Sequence, residues 1–175
     1  VDEAIFADRY PVTLLAGGCA CCTGQTDFLT SLRQLCDLRS QQPAADRLRL
    51  VVLETSGLAD PAAIAGALRI DPLLAFHLAL AEVIVLVDAR NGAAQLASEP
   101  LGRRQIEAAD RLVLTKTDLS TPDDVARLIA TLKTLNPTAP LGAEVKGEPV
   151  PLPDARDAIP LPLADVESGP IAPLQ

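Results

Sequence analysis

The sequence predicts an α/β protein built on an open, doubly wound, mostly parallel sheet. Two observations carry the sheet and its layers: short continuous apolar runs, as strands covered on both faces require, and segments of helical apolar periodicity between them. A third is that the polar clusters fall where the apolar runs stop, at the carboxyl ends of strands, where open α/β sheets bind ligands. The chain has 175 residues, 49% of them apolar, enough for one globular domain with a sizeable core. Aromatics make up 2% and Met and Trp are absent, so Leu, Val, Ile and Ala must fill that core.

The elements follow in order. Pro11–Ala16 is a β-prone run that stops at Gly17-Gly18, where tight backbone geometry becomes accessible. Thr26 is a candidate cap for a helix carrying Phe28, Leu29, Leu32, Leu35 and Leu38 at helical spacing, ending before Pro43. Leu48 to Leu53 reads as a strand buried on both faces, ending at Glu54. Asp60-Pro61 and Asp71-Pro72 each supply a cap and a first-turn proline, so two short helices should follow one another. Val83–Val87 is the clearest buried strand, Leu101–Ala109 a helix, and Arg111–Leu114 the next strand. Thr121-Pro122-Asp123-Asp124 opens a helix that turns Val125, Leu128, Ile129, Leu132 and Leu135 inward, and Asn136-Pro137 closes it. Ala143–Val145 is a last short strand. Seven of the fifteen prolines then lie between Pro149 and Pro173, a composition suited to a linker and not to core. The expected division is a partial domain over 1–148 and a Pro-rich linker, or the start of a C-terminal domain, over 149–175.

The formal charge of −8 and pI near 4.6 argue against nucleic acid or an anionic membrane as partner, because the field repels phosphate. Neither a span-length apolar run nor an export signal is visible, so the cytoplasm is the expected location. Residue 1 is Val and no Met occurs, which reads as a chain lacking its front end.

Three of the four cysteines, Cys19, Cys21 and Cys22, crowd into four residues after the Gly-Gly turn. Disulfides to distant loops do not suit such crowding, and thiolates at this density repel one another unless a cation compensates. Zn²⁺ or a similar divalent ion fits three soft donors with one tetrahedral position open. Water, a distant group or a second subunit in a homodimer is open as the fourth ligand. A redox pair is the competing use of these thiols. Cys36, on an apolar-faced helix, reads as a core thiol.

Glu54-Thr55-Ser56-Gly57 places a carboxylate and a glycine where a nucleotide hydrolase holds Mg²⁺ through water and senses the γ-phosphate. A solvated Glu in an ordinary turn is the alternative. Thr115-Lys116-Thr117-Asp118 follows a buried strand. There an Asp carboxylate can accept both guanine N1–H and N2–H while the Lys stem covers the ring. A polar loop with a capping Asp is the alternative. Asp88, Asn91 and His77 are assigned no chemistry, the first two as turn residues.

Taken in order, Gly18-Cys19-Ala20-Cys21-Cys22, Glu54-Thr55-Ser56-Gly57-Leu58-Ala59-Asp60-Pro61 and Thr115-Lys116-Thr117-Asp118 resemble the CobW-like branch of the G3E GTPases, from about Pro11 to Val145. That class also contains the GTPases that mature urease and hydrogenase, and its name refers to a Glu in the third GTPase motif, matched here by Glu54. The resemblance implies a metallochaperone on a sheet of the P-loop GTPase type, with 1–148 as a partial GTPase domain: GTP binding and slow hydrolysis with Mg²⁺, with Glu54 as the catalytic carboxylate, Ser56 and Gly57 at the phosphates, and Thr115, Lys116 and Asp118 at the base. It implies Zn²⁺, Co²⁺ or a similar ion on Cys19, Cys21 and Cys22, delivered to a client metalloprotein or an enzyme of metal-cofactor biosynthesis. No Gly-Lys-Ser/Thr occurs, so the phosphate-cradling loop is expected upstream of Val1, and Thr115 stands where Asn is commoner. The competing function is a metal-binding or interaction module that works without nucleotide.

Overall fold

The structure, a computed structural model, describes residues 25–45, 47 and 49–163. They form two compact units, one from the described parts of Val1–Ala59 and Ala63–Ala79, the other from Asp60–Ala62 and the described part of Leu80–Gln175. The expected strand at Pro11–Ala16 and the cysteine cluster lie outside the described residues.

The first unit is helical where it is regular. Helix α1 (Gln25–Gln41) already contains Thr26, so that residue is not the cap the sequence suggested. Its inner stripe is Phe28, Leu32 and Cys36, four residues apart, and Phe28 packs with Ala59 and Ile64 among Leu29, Leu32 and Leu68. Leu38, expected inward, is 61% exposed; two residues beyond Cys36 it sits about 200° further round the helix. Cys36 is the core thiol expected, fully buried, and burial pushes its pKa up.

The two Asp-Pro signals yield α2 (Pro61–Ile70) and α3 (Pro72–His77). Asp60 Oδ1 accepts the Ala62 amide at 3.0 Å. Asp71 Oδ1 accepts the amides of Leu73 and Leu74, each at 3.0 Å, and Oδ2 accepts Arg33 Nε at 2.8 Å, tying α3 to α1. The Leu74 amide foremost, with Arg33 beside it, outweighs burial and holds the Asp71 carboxyl below its usual pKa.

One expected element is missing. Residues 49–53 form no strand, and Leu50 and Val52 are 70% and 82% exposed. An apolar run becomes a strand only where neighbours take up its N–H and C=O groups, and among the described residues none flanks this one. Glu54 therefore follows a segment without regular structure, one that pairs with no strand among the described residues.

The second unit is the α/β layer. Strands β1 (Ile84–Asp88), β2 (Arg111–Thr115), β3 (Leu141–Val145) and β4 (Glu148–Pro149) stand in that order, the first three parallel and the last antiparallel. The mostly parallel, open sheet read from the sequence is the one observed. Between strands run α4 (Gly92–Ser98), α5 (Pro100–Glu107) and α6 (Pro122–Leu135). Helix α4 has no counterpart in the sequence reading, because seven residues opened by glycine carry too little periodicity to announce a helix.

The register aligns Val85, Leu112 and Leu141, and then Val87, Leu114 and Ala143, on one face. This face packs with Leu96 of α4, Ile106 of α5, and Val125, Leu128, Ile129 and Leu132 of α6. Burial of β1 is one-sided, contrary to the sequence reading: Ile84 and Leu86, on its other face, are 52% and 67% exposed, since α4 to α6 cover only the Val85/Val87 side. Helix α6 begins as read, with Thr121 Oγ1 accepting the Asp124 amide at 3.2 Å behind Pro122.

A two-residue turn with positive φ at Lys146 (54°) and Gly147 (85°) joins β3 to β4, the geometry that matches strand twist in tight hairpins. Past β4 the proline-rich stretch does pack, against the expectation that it adds nothing to the core. Val150, Leu152, Ala155 and Leu163 lie against the cluster, and the Leu161 amide donates to Thr131 Oγ1 at 2.9 Å.

Candidate functional site

The site grows from the carboxyl ends of β1 and β2. Hydrophobic burial fixes β2, with Leu112 and Leu114 1% exposed or less, so the polar residues after it emerge at a fixed place. Thr115 ends the strand opposite Asp88; its carbonyl accepts the Ala89 amide at 2.9 Å and its hydroxyl donates to the Val87 carbonyl at 3.4 Å. The chain then reverses at Lys116, which takes the left-handed conformation (φ 57°, ψ 31°), and enters a single 3₁₀ turn over Thr117–Leu119. A non-glycine residue is uncommon there and its surroundings must hold it.

Two side chains of this loop go to different neighbours. Lys116 Nζ donates to Asp88 Oδ2 at 2.7 Å. Asp118 is exposed and lines an open groove of about 570 Å³ together with Arg90, Ser120, Thr121, Asp124 and Arg127. Leu161, from the packed tail, supplies an apolar patch of the same wall. The groove can take a polar ring, with a carboxylate to accept its N–H groups and two guanidinium groups nearby.

Asp88, which the sequence reading left as a turn residue, is the neighbour that the structure adds to this loop. Burial by itself would raise its pKa, but donors on Lys116 and Asn91 and the Arg90 amide outweigh burial and leave it lowered. The signal lies in the register, which sets Asp88 at the end of β1 opposite Thr115, the first residue of the loop motif.

Glu54, Ser56 and Gly57 belong to the first unit and are exposed. The Ser56 carbonyl accepts the Ala59 amide at 3.0 Å, which makes the segment a turn. An exposed carboxylate is a hard oxygen donor of the kind Mg²⁺ takes. Cys19, Cys21 and Cys22 lie outside the described residues. Among the described residues, no group of three or more His, Cys, Asp or Glu side chains could hold a metal ion. No helix among them is long and apolar enough to cross a membrane.

An open, mostly parallel sheet with a polar Lys-x-Asp loop at a strand end is the architecture of a nucleotide-binding α/β domain. The model of one such family, the CobW/HypB/UreG nucleotide-binding domain, matches residues 1–142, and the chain belongs to that family. Among curated relatives, the zinc chaperone YjiA of Escherichia coli (strain K12) is 31% identical over 150 residues, covering 85% of this chain and 46% of that protein. Zinc-regulated GTPase metalloprotein activator 1 of Schizosaccharomyces pombe (strain 972 / ATCC 24843) is 28% identical over 123 residues, covering 70% of this chain and 28% of that protein. The matched part of the chain thus spans less than half the length of either relative. No solved structure matches it significantly.

Proposed function

We propose that the intact protein is a GTP-dependent metallochaperone that carries Zn²⁺, or a similar ion such as Co²⁺, on Cys19, Cys21 and Cys22 and couples its transfer to GTP hydrolysis. The observation that carries this is the Thr115–Asp118 loop at the end of buried β2, in a chain of a nucleotide-binding family. Two relatives named for zinc, one also named a GTPase, support it.

In this reading Asp118 accepts the guanine N1–H and N2–H, Lys116 lays its stem on the ring, and Thr115 ties the loop to β1. Ser56 and Gly57 face the γ-phosphate, and Glu54 holds Mg²⁺ through water. The ion's charge offsets that of the phosphates. Three thiolates with one open tetrahedral position suit an ion that must leave again. A client metalloprotein or an enzyme of metal-cofactor biosynthesis would receive it in the cytoplasm, and a homodimer would offer a fourth ligand. Residues 1–148 act as the GTPase portion, with 149–175 leading out of it.

Titration of the intact protein with GDP and GTP tests the reading. Asp118→Asn keeps a neutral acceptor for N1–H but sets an N–H against the guanine N2–H, so one hydrogen bond to a charged group is replaced by a donor–donor clash and the other loses its charge; such bonds are worth about 1.5–3 kcal/mol each. Because Asp118 is exposed, the lower figure applies to each, and guanine nucleotides should bind roughly a hundredfold more weakly. Xanthosine diphosphate should bind better to the variant, since the Asn amide can donate to the C2 carbonyl. Zn²⁺ affinity, measured against a chromophoric chelator, should fall on changing the three cysteines to Ser and should differ between GDP- and GTP-loaded protein. Zn²⁺ binding without any guanine-nucleotide affinity would sink the proposal in favour of a nucleotide-independent module.

A further inference from the structure

Asp88 closes β1, and the register sets it opposite Thr115. Its turn role is real: Oδ1 accepts the amides of Arg90 at 2.8 Å and Asn91 at 3.1 Å. Its other oxygen does something a turn does not need. Oδ2 accepts the Asn91 side-chain amide at 3.1 Å and, from the adjacent loop, the Lys116 ammonium at 2.7 Å. Four donors converge on a carboxylate that is 19% exposed, while the Lys116 side chain stays 56% exposed. The ammonium is anchored although more than half of the side chain's surface is open to solvent.

The stem is held at its other end too. Lys116 is fixed in the left-handed conformation, and its carbonyl accepts the Leu119 amide at 3.0 Å. A lysine tethered at both ends has given up much of its rotamer freedom before a ligand arrives, so a flat ring settling on it does not bear that ordering cost. The carboxylate that would read the ring's edge, Asp118, is two residues further along the same loop.

We infer that Asp88 is a positioning residue of the nucleotide site: through its ion pair with Lys116 it presents the lysine stem as a preformed apolar shelf for the guanine ring, beside Asp118. The inference rests on the guanine-nucleotide reading above and adds to it a residue outside the Thr115–Asp118 motif.

The test is a double-mutant cycle on the intact protein, read as GDP affinity with a fluorescent GDP analogue. Asp88→Asn keeps acceptors for the two backbone amides but removes the charge, and GDP should bind roughly fivefold more weakly, the scale of a partly exposed ion pair. In a Lys116→Met background, which keeps a stem without an ammonium, Asp88→Asn should change GDP affinity by less than about twofold if the coupling is local. The ratio of GDP to inosine diphosphate affinity, set at Asp118, should be the same with and without Asp88→Asn. If Asp88→Asn does not fold, Asp88→Ser, which can still accept from the turn amides, takes its place in the cycle. An equal loss in both backgrounds, or no loss in either, overturns the inference and leaves Asp88 a turn residue. Failure of the unsubstituted protein to bind GDP overturns the nucleotide reading itself, and this inference with it.

Discussion

Asn136 joins the end of α6 to the end of α5, and exchanging it for Asp alters the site with almost no change of shape. Its side chain is buried at 7% exposure. Nδ2 donates to the carbonyls of Ile106 at 2.8 Å and Ala109 at 2.9 Å, and Oδ1 accepts from Thr138 Oγ1 and the Ala139 amide, both at 3.1 Å. In Asn136→Asp an oxygen replaces Nδ2 and faces two carbonyl oxygens. The Ile106 carbonyl keeps the Ala109 amide at 3.2 Å, so its loss is partial, whereas the Ala109 carbonyl loses a buried donor. Orphaning a buried acceptor costs about 1–3 kcal/mol, and with the carboxylate facing both carbonyls the total comes to about 3 kcal/mol at neutral pH. Protonation restores one donor, so the new carboxyl's folded pKa is raised. Its relative stability is then present below the unfolded pKa of about 3.9 and lost as pH rises through the folded value. Urea unfolding of wild type and variant at pH 4 and pH 7 measures this. A variant within 1 kcal/mol of wild type at pH 7, or an equal deficit at both pH values, would refute the reasoning.

Other substitutions probe other parts. The Asp71 carboxyl is held below its ordinary value, so its contribution is present above the ordinary carboxylate pKa and disappears as pH falls through the lowered one; Asp71→Asn should flatten the acid limb of a stability curve below about pH 4. A Cβ on Gly92 would lie 3.0 Å from Val87 Cγ1, whereas one on Gly102 meets nothing closer than 3.6 Å. Gly92→Ala should therefore cost about 1 kcal/mol and Gly102→Ala should be neutral or stabilising, compared by thermal unfolding. Thr131→Val removes the acceptor of the Leu161 amide, and hydrogen exchange at Leu161 should speed up while the amides of β2 keep their protection.

Legibility tracked how local the cause was. Asp71-Pro72 and Thr121-Pro122 carry their caps within four residues, and both helices begin where the sequence says. Strands β1 and β2 were legible because β-branched and Leu runs have few other uses. What Leu48–Leu53 becomes depends on partners supplied from elsewhere, and no apolar pattern encodes a partner. Leu38 was misplaced because a run of leucines was read as one stripe when the helix turns 100° per residue. At the site, the Thr115–Asp118 loop was legible from its type and its place after a strand. The bond from Lys116 to Asp88 spans 28 residues and follows from the register, which single-sequence periodicity does not give.

The hairpin at Lys146-Gly147 makes the two margins of the sheet unequal. The Val150 amide points inward to the Ala143 carbonyl at 2.9 Å, so its neighbour on β4 faces outward, and that neighbour is Pro149. A proline has no N–H to offer an incoming strand, and with only two residues in β4 this margin is a poor template for further pairing. At the opposite margin stands β1, five residues long and bearing Ile84 and Leu86 in the open. Among the described strands, β1 is the margin better suited to receive a further strand.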